Sequence, residues 1–130
     1  MININNIDHL VLTVHNLEKT IKFYESVLGM KKETFAEGRI ALKFSNQKIN
    51  LHQYKNEFEP KAQLPTPGSM DLCFIIETIL DKAMSHVSEM GVEIIEGPIK
   101  RTGAMGPLLS FYFRDPDGNL IELSNQISDH

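Results

Sequence analysis

The sequence predicts an α+β fold built from two βαβββ modules in tandem. An alternating apolar strand is followed by an amphipathic helix and three short strand-like segments, and the same order recurs in the second half of the chain. A proline-rich segment without sustained periodicity separates the halves. We expect a curved, mostly antiparallel sheet around a cleft, with the helices on its outer face. At 130 residues the chain forms a single domain, residues 1–130.

Module one is predicted to span about residues 6–54. Its first strand, "IDHLVLTV", alternates so that His9 lies on the face opposite Leu10. The segment "NLEKTIKFYESVLG" predicts a helix with Asn16 as N-cap and Gly29 as its C-terminal stop. Three further strands are predicted in "MKKETFA", "RIALKFS" and "KINLHQY".

Module two is predicted at about residues 69–126, after a linker at about residues 55–68 that holds three of the six prolines. Its strand "MDLCFIIE" precedes the helical segment "TILDKAMSHVSEMG", in which Thr78 and Asp81 have capping-box spacing and Gly91 ends the helix. The segments "VEIIEGP", "LLSFYFRD" and "NLIELSN" predict three strands. The last two are joined by "DPDG", which suits a type I turn.

The two modules can be aligned through their first and last strands. Matching "HLVLTV" to "DLCFII" places His9 on Asp71, and matching "INLHQ" to "IELSN" places Asn50 on Glu122. The second module is longer between these points, and we assign the extra residues to a glycine-containing loop, "KRTGAMGP", residues 100–107. Loops of this kind often border functional surfaces.

Composition narrows the function classes. The formal charge of −4, with both signs mixed along the chain, gives no basic footprint for nucleic acid or a membrane surface. No apolar run reaches the length of a membrane helix, so we expect a cytoplasmic protein. The single cysteine, Cys73, lies in "LCFII" and is predicted to be a buried core thiol. We expect His15, His86 and His130 to be solvated.

Potential metal ligands recur on the polar side of the first and last strands. They are His9 and Asp71 on the first strands, and Asn50, His52 and Glu122 on the last. Imidazole nitrogens and carboxylate oxygens together suit Zn, Ni, Mn, Fe or Co. Other roles stay open: His9 can bond the neighbouring aspartate, Asp71 can belong to a turn, and His52 can be an edge residue. Glu122 is harder to explain otherwise, because its strand is apolar.

Two motifs resemble a known family. "IDHLVLTVHNLEKTIKFYESVLGMK" is similar to the opening signature, and "FRDPDGNLIEL" to the closing signature, of the vicinal oxygen chelate superfamily. That superfamily includes glyoxalase I, fosfomycin-resistance thiol transferases, bleomycin-resistance proteins, methylmalonyl-CoA epimerase and extradiol dioxygenases. The segments at residues 48–75 and 96–125 resemble most closely the glyoxalase domain-containing protein 5 branch and its bacterial relatives.

The resemblance implies a divalent metal (Zn, Ni, Mn or Fe) held at one position on the first and last strand of each module. His9 and Glu122 match two of these positions. Asp71 stands where a histidine is usual, and the remaining position falls on Asn50. We rank His52 above Asn50 as a ligand, because a strand slip or bulge would bring it into place.

The implied function is a glyoxalase-like enzyme in which the metal chelates vicinal oxygens of a small substrate and stabilises an enolate or oxyanion. Glu122 or Asp71 would move the proton. Arg101 with Thr102 is a candidate for binding an anionic part of the substrate, because a guanidinium offers paired donors to a carboxylate or phosphate, and the alternative is a solvated loop cation. Lyase or isomerase chemistry is expected, with thiol transfer and ring cleavage left open. The alternative is a metal-free protein of the bleomycin-resistance type that sequesters a drug or metabolite. The resemblance also implies a homodimer, with ligands from one subunit or from both.

Overall fold

The computed structural model describes residues 1–128, in which two helices and eight strands follow one another as two βαβββ units. The chain divides into two compact units, here called modules one and two. The first covers Met1–Pro67 and the second begins at Gly68. The predicted α+β class and the repeat of βαβββ order are confirmed.

Module one forms a four-stranded sheet in the order β1-β4-β3-β2, with β1 parallel to β4 and the other pairs antiparallel. Its elements are β1 (His9–Val14), α1 (Leu17–Leu28), β2 (Lys31–Phe35), β3 (Arg39–Phe44) and β4 (Gln47–Gln53). The helix begins as predicted, because the Asn16 side chain accepts a hydrogen bond from the Lys19 amide at 3.0 Å. It ends at Gly29, whose φ of 68° lies in the left-handed region.

The core of module one lies between α1 and one face of this sheet. The helix contacts β2, β3 and β4 and buries one side. Its buried apolar residues and those of the strands are Ile21, Tyr24, Val27, Leu12, Val14, Leu42, Ile49 and Leu51. Residues of opposite strand parity therefore lie on the face turned away from the helix.

Module two repeats this arrangement, with strand order β5-β8-β7-β6 and β5 parallel to β8. Its elements are β5 (Asp71–Ile75), α2 (Leu80–Glu89), β6 (Glu96–Gly103), β7 (Gly106–Arg114) and β8 (Leu120–Gln126). The turn between β7 and β8 closes as predicted, since the Gly118 amide donates to the Asp115 carbonyl at 3.0 Å. Gly91, with a φ of 82°, follows the end of α2.

The predicted capping box of α2 is wrong. The N-cap position is Ile79, and it provides no side-chain hydrogen bond. Instead, Asn125 from β8 caps the helix: its Oδ1 accepts from the Leu80 amide at 2.8 Å. Its Nδ2 donates to the carbonyls of Ile76 and Thr78 at 3.1 and 2.9 Å. A residue distant in sequence thus supplies the cap that local spacing assigned to Thr78.

Replacing Asn125 with alanine is expected to destabilise the protein by about 2 kcal/mol, because one substitution removes the helix cap and two further hydrogen bonds. The matched control is Asn16→Ala, which removes one capping bond and should cost about 1 kcal/mol. Urea unfolding of both variants measures the difference. A loss for Asn125→Ala no larger than that of the control would contradict the assigned cap.

The predicted loop at residues 100–107 is also wrong. Lys100–Gly103 belong to β6 and Gly106–Pro107 to β7, so only Ala104 and Met105 form the turn. Conversely, residues 92–95 of the predicted strand precede β6. Glycines are common both in flexible loops and in tight hairpin turns. Here β6 pairs with β7 as far as Gly103 and Gly106, so the segment forms a hairpin.

Cys73 is exposed and is not the core thiol that its apolar neighbours suggested. Its strand alternates, and Cys73 lies on the face turned away from α2. His15 and His86 are exposed as predicted, whereas His130 lies outside the described residues. Within residues 1–128, neither helix combines the length and apolar character that spanning a membrane requires.

Candidate functional site

The predicted alignment of the modules agrees with their strand register. Val11 pairs with Asn50 in module one, and Cys73 pairs with Glu122 in module two. Asn50 and Glu122 therefore occupy the same position of the repeat. Each lies on the sheet face turned away from its own helix.

His9 is oriented by its neighbour in sequence. Its Nδ1 lies 2.9 Å from Asp8 Oδ2, and its side chain is 45% exposed. When Nδ1 carries the proton and donates to this carboxylate, Nε2 presents a free lone pair. Metal-binding histidines commonly show this arrangement, in which a carboxylate fixes the tautomer and the ring orientation.

Asn50 contains an acceptor that the described chain leaves unsatisfied. The residue is 6% exposed, and its Oδ1 has no hydrogen-bond partner among residues 1–128. Buried side-chain oxygens are nearly always paired. The β1–β4 and β3–β4 registers run without a bulge, so Asn50, and not His52, occupies the position equivalent to Glu122.

His52 is buried beside a guanidinium. It is 3% exposed; its Nε2 lies 3.4 Å from Arg39 Nη2, and its ring meets that of Phe58 edge-on at 5.5 Å. Burial lowers the pKa of His52, and the positive charge of Arg39 lowers it further. The neutral imidazole can thus accept a hydrogen bond from Arg39.

The lowered pKa of His52 predicts a pH dependence of stability. In the unfolded chain this histidine titrates at its ordinary value of 6.5, so below about pH 7 the unfolded state binds more protons than the folded state. Stability should therefore decrease as pH falls through that value toward the folded pKa. Urea unfolding of metal-free protein at about pH 7.5 and 5.5 should show a larger loss for wild type than for His52→Gln. Equal losses would contradict a buried neutral His52.

Glu122 is half-buried on β8 and accepts from neutral donors. The Ser124 hydroxyl donates to Oε2 at 3.3 Å, and the Tyr112 hydroxyl is a second hydrogen-bonding neighbour. Ser124 also lies 2.6 Å from Ser110 Oγ and 3.4 Å from Cys73 Sγ. If both of these donate to Ser124, its single proton is directed to Glu122.

Arg101 is engaged within module two. Its Nε donates to the Tyr112 hydroxyl at 2.8 Å, its Nη2 lies 3.4 Å from Glu96 Oε1, and its guanidinium stacks over the Tyr112 ring. These contacts raise the pKa of Arg101, with the Tyr112 bond as the main cause. For Tyr112 itself, burial raises the pKa, the Arg101 bond opposes this, and Glu122 raises it further.

A cavity of about 360 Å³ lies within module two. Arg101 and Thr102, both predicted to bind substrate, line it together with Glu122 and Cys73. Partial burial raises the pKa of the Cys73 thiol; Ser124 opposes this, and the carboxylates of Glu122 and Asp71 reinforce it. The thiol is therefore held protonated at neutral pH.

Asp71 is exposed at the start of β5, in register with Leu120. The predicted ligands are thus divided between the modules, with His9, Asn50 and His52 in one and Asp71 and Glu122 in the other. Among residues 1–128, no three His, Cys, Asp or Glu side chains form a group that could hold a metal ion.

Sequence reasoning missed Arg39, Tyr112 and the serine pair Ser110 and Ser124. Strand parity could have indicated Tyr112, because it lies directly opposite Glu122 once β7 and β8 are paired. Arg39 is harder to identify, since two of its neighbours, His52 on β4 and Phe58 after it, are distant in sequence.

A family model described as "Glyoxalase/Bleomycin resistance protein/Dioxygenase superfamily" matches residues 6–123. The chain is 56% identical to the glyoxalase domain-containing protein RDO1 of Mycosarcoma maydis, over 95% of this chain and 70% of that protein. It is also 56% identical to the virulence protein STM3117 of Salmonella typhimurium, over 95% of this chain and 86% of that protein. Among solved structures, an integron cassette protein from the mobile metagenome of V. cholerae matches with a TM-score of 0.96 and 61% identity, covering 98% of this chain and 99% of that one.

A more distant relative is the metallothiol transferase FosB of Shouchella clausii, which is 29% identical over 92% of this chain and 80% of that protein. The family match and the two relatives at 56% identity each cover nearly the whole chain. The chain therefore belongs to the Glyoxalase/Bleomycin resistance protein/Dioxygenase superfamily, the vicinal oxygen chelate superfamily that its motifs resemble.

Proposed function

We propose that this protein is a divalent-metal-dependent, glyoxalase-like enzyme acting on a small substrate with vicinal oxygens. One observation carries the proposal. At the same register position of both modules, an oxygen-bearing side chain, Asn50 or Glu122, lies on the polar face of the sheet. Family membership and the similarity to a metallothiol transferase support it.

The donor groups fit a divalent cation. His9 has its Nδ1 beside a carboxylate, which leaves Nε2 to bind metal. Asn50 Oδ1 is a buried acceptor without a partner in the described chain, and Glu122 supplies a carboxylate. Nitrogen and oxygen donors of this kind suit Zn, Ni, Mn or Fe. We propose His9 and Glu122 as ligands, Asn50 ahead of His52 as a third, and Asp71 as a fourth.

A bound divalent metal would supply Lewis-acid stabilisation of negative charge developing on two neighbouring substrate oxygens. The chain's own groups would do the rest. Glu122 can receive the substrate proton on a carboxylate oxygen, and the Ser124 and Tyr112 hydroxyls hold that carboxylate in place. Asp71 is a second candidate for the proton transfer. Arg101 and Thr102 would contact the substrate in the cavity of module two.

Metal titration of chelator-stripped protein tests this proposal. Calorimetry with Mn²⁺, Fe²⁺, Ni²⁺ and Zn²⁺ should show saturable binding at micromolar concentration or tighter for at least one ion. His9→Ala should weaken this binding, and His86→Ala, which alters an exposed histidine on α2, should leave it unchanged. The proposal fails if wild type binds none of the four ions at micromolar concentration, or if His9→Ala binds as tightly as wild type.

The second candidate is a metal-free protein that sequesters a drug or metabolite. The cavity of module two favours it, because Ile75, Met105 and Leu108 contribute apolar walls and Arg101 is already paired. The two candidates differ in one measurement. Ligand binding by a sequestering protein persists in chelator-stripped protein, whereas binding through metal chelation requires the ion.

The proposal also includes a homodimer, as the resemblance implies, and a cytoplasmic location, as expected from the sequence composition. The metal ligands would come from one subunit or from two.

A further inference from the structure

Three lysines of module one lie side by side on the polar face of its sheet. Lys31 pairs with Lys43, and Lys43 pairs with Lys48, across β2, β3 and β4. His9 continues the same row, because it pairs with Lys48 on β1. Residues paired directly across strands share a face and lie about 5 Å apart. We call Lys31, Lys43, Lys48 and Arg39 the cationic face.

Arg39 is held on the same face by aromatic rings. Its guanidinium carbon lies 4.5 Å from the Phe58 ring centroid and 5.5 Å from that of Phe35. Lys48 Nζ lies 3.8 Å from the Phe35 centroid. These contacts fix the positions of two cations without neutralising them.

No carboxylate of the described chain pairs with these four cations. Among the carboxylates on β2, β3 and β4, Glu33 is the one that lies on the same face as these cations. It pairs with Ala41, between the lysine row and Arg39. Arg101 of module two, by contrast, has Glu96 as an ion-pair partner. Like charges directly opposite one another destabilise a sheet, so this arrangement costs stability in a chain whose formal charge is −4.

We propose that the cationic face binds an oxyanion group of the substrate, a carboxylate or a phosphoryl group. The inference rests on the proposed function and deepens it by naming an anionic substrate. His9 and Asn50, proposed as metal ligands, lie on this face in register with Lys48 and Ala41, respectively. The anionic group would thus be held beside the ligands that module one contributes, while Arg39 and the lysines supply charge-assisted hydrogen bonds.

The test uses metal-free protein from which the chelator has been removed, with inorganic phosphate and malonate as separate probes at constant ionic strength. Two-dimensional NMR titration should show saturable shifts at β2, β3 and β4 amides with at least one probe. Lys48→Gln should weaken that binding on the order of tenfold, because a cation in contact with the anion is lost. The probe that binds more tightly distinguishes a phosphoryl group from a carboxylate.

Lys32→Gln is the matched control, because Lys32 lies on β2 next to Lys31 but on the other face of the strand. It should bind the probe as wild type does. Lys43→Gln serves as a second variant of the cationic face and should also weaken binding. The inference is overturned if neither probe binds wild type, or if Lys32→Gln loses as much affinity as Lys48→Gln. Metal titration is independent of this readout, so failure of the metal proposal and failure of the anion site are distinguishable.

Discussion

Glu122→Ala is expected to weaken divalent-metal binding on the order of 100-fold or more, since loss of an outer-sphere partner alone typically costs 10–100-fold. The fold should survive, because Glu122 is half-buried, Ser124 keeps its hydrogen-bonding neighbours Ser110 and Cys73, and Tyr112 keeps its bond with Arg101. Glu122→Gln should show a comparable loss while preserving side-chain volume. Calorimetric metal titration, with unfolding measured in parallel, separates lost affinity from lost stability.

Glu96→Gln is the control for this experiment. Glu96 is an exposed carboxylate of the same module, paired with Arg101, and its removal changes the net charge as Glu122→Gln does. Metal affinity should be unchanged in Glu96→Gln. If Glu122→Ala and Glu96→Gln bind metal equally well, Glu122 is not a ligand and the proposed site is wrong.

Mixing variants distinguishes ligands of one subunit from ligands of two. If a homodimer builds each site from His9 of one chain and Glu122 of the other, refolding His9→Ala together with Glu122→Ala should restore roughly a quarter of the sites. Half of the dimers formed would be mixed, and each would contain one intact site. If each site comes from a single chain, the mixture should bind no more metal than the separate variants.

The order of elements was predictable because each module alternates between hydrophobic periods of 2 and 3.6 residues, and α1 also carries its own N-cap and C-terminal glycine. The alignment of Asn50 with Glu122 was predictable for the same reason, since strand parity determines which side chains share a face. The type I turn before β8 was also predictable from its proline and glycine positions.

Features that depend on contacts distant in sequence could not be predicted. Asn125 caps α2 from β8, which no local capping rule contains. Cys73 lies in an apolar segment, yet its exposure depends on the strand face it occupies. The cationic face arises only when the register of β2, β3 and β4 places three lysines in one row. The contacts of Arg101 with Tyr112, directly across from Glu122, and with Glu96 likewise depend on how β6 and β7 pair.

Gly97→Ala is expected to destabilise the protein by about 4 kcal/mol. Gly97 has a φ of 124°, where an alanine is strained by roughly 1–3 kcal/mol. A Cβ there would lie 2.5 Å from Phe111 Cβ and 2.7 Å from Phe111 Cα, so the backbone of β6 or β7 must move. Such overpacking adds about 1–3 kcal/mol. Thermal unfolding should show a midpoint lowered by more than about 10 °C.

Gly38→Ala isolates the steric part of this effect. Gly38 also has a positive φ, 78°, but a methyl group at that residue would meet no atom within 4 Å. The change in unfolded-chain entropy is the same for both substitutions, so Gly38→Ala should cost only about 1 kcal/mol. Equal losses for the two variants would show that Phe111 does not confine Gly97.

The Gly97→Ala substitution should also change the positions of residues that line the cavity of module two. Glu96 pairs with Tyr112 and Ile99 with Ser110, so three steps along β6 match two along β7, and Gly97 lies in this bulge. The bulge determines the strand register that brings Arg101 to the Tyr112 hydroxyl. Tyr112 in turn contacts Glu122, the proposed metal ligand. If Gly97→Ala folds at low temperature, its metal affinity should fall while that of Gly38→Ala stays at the wild-type value. Unchanged affinity in a folded Gly97→Ala protein would show that the ligand position of Glu122 does not depend on the β6 bulge.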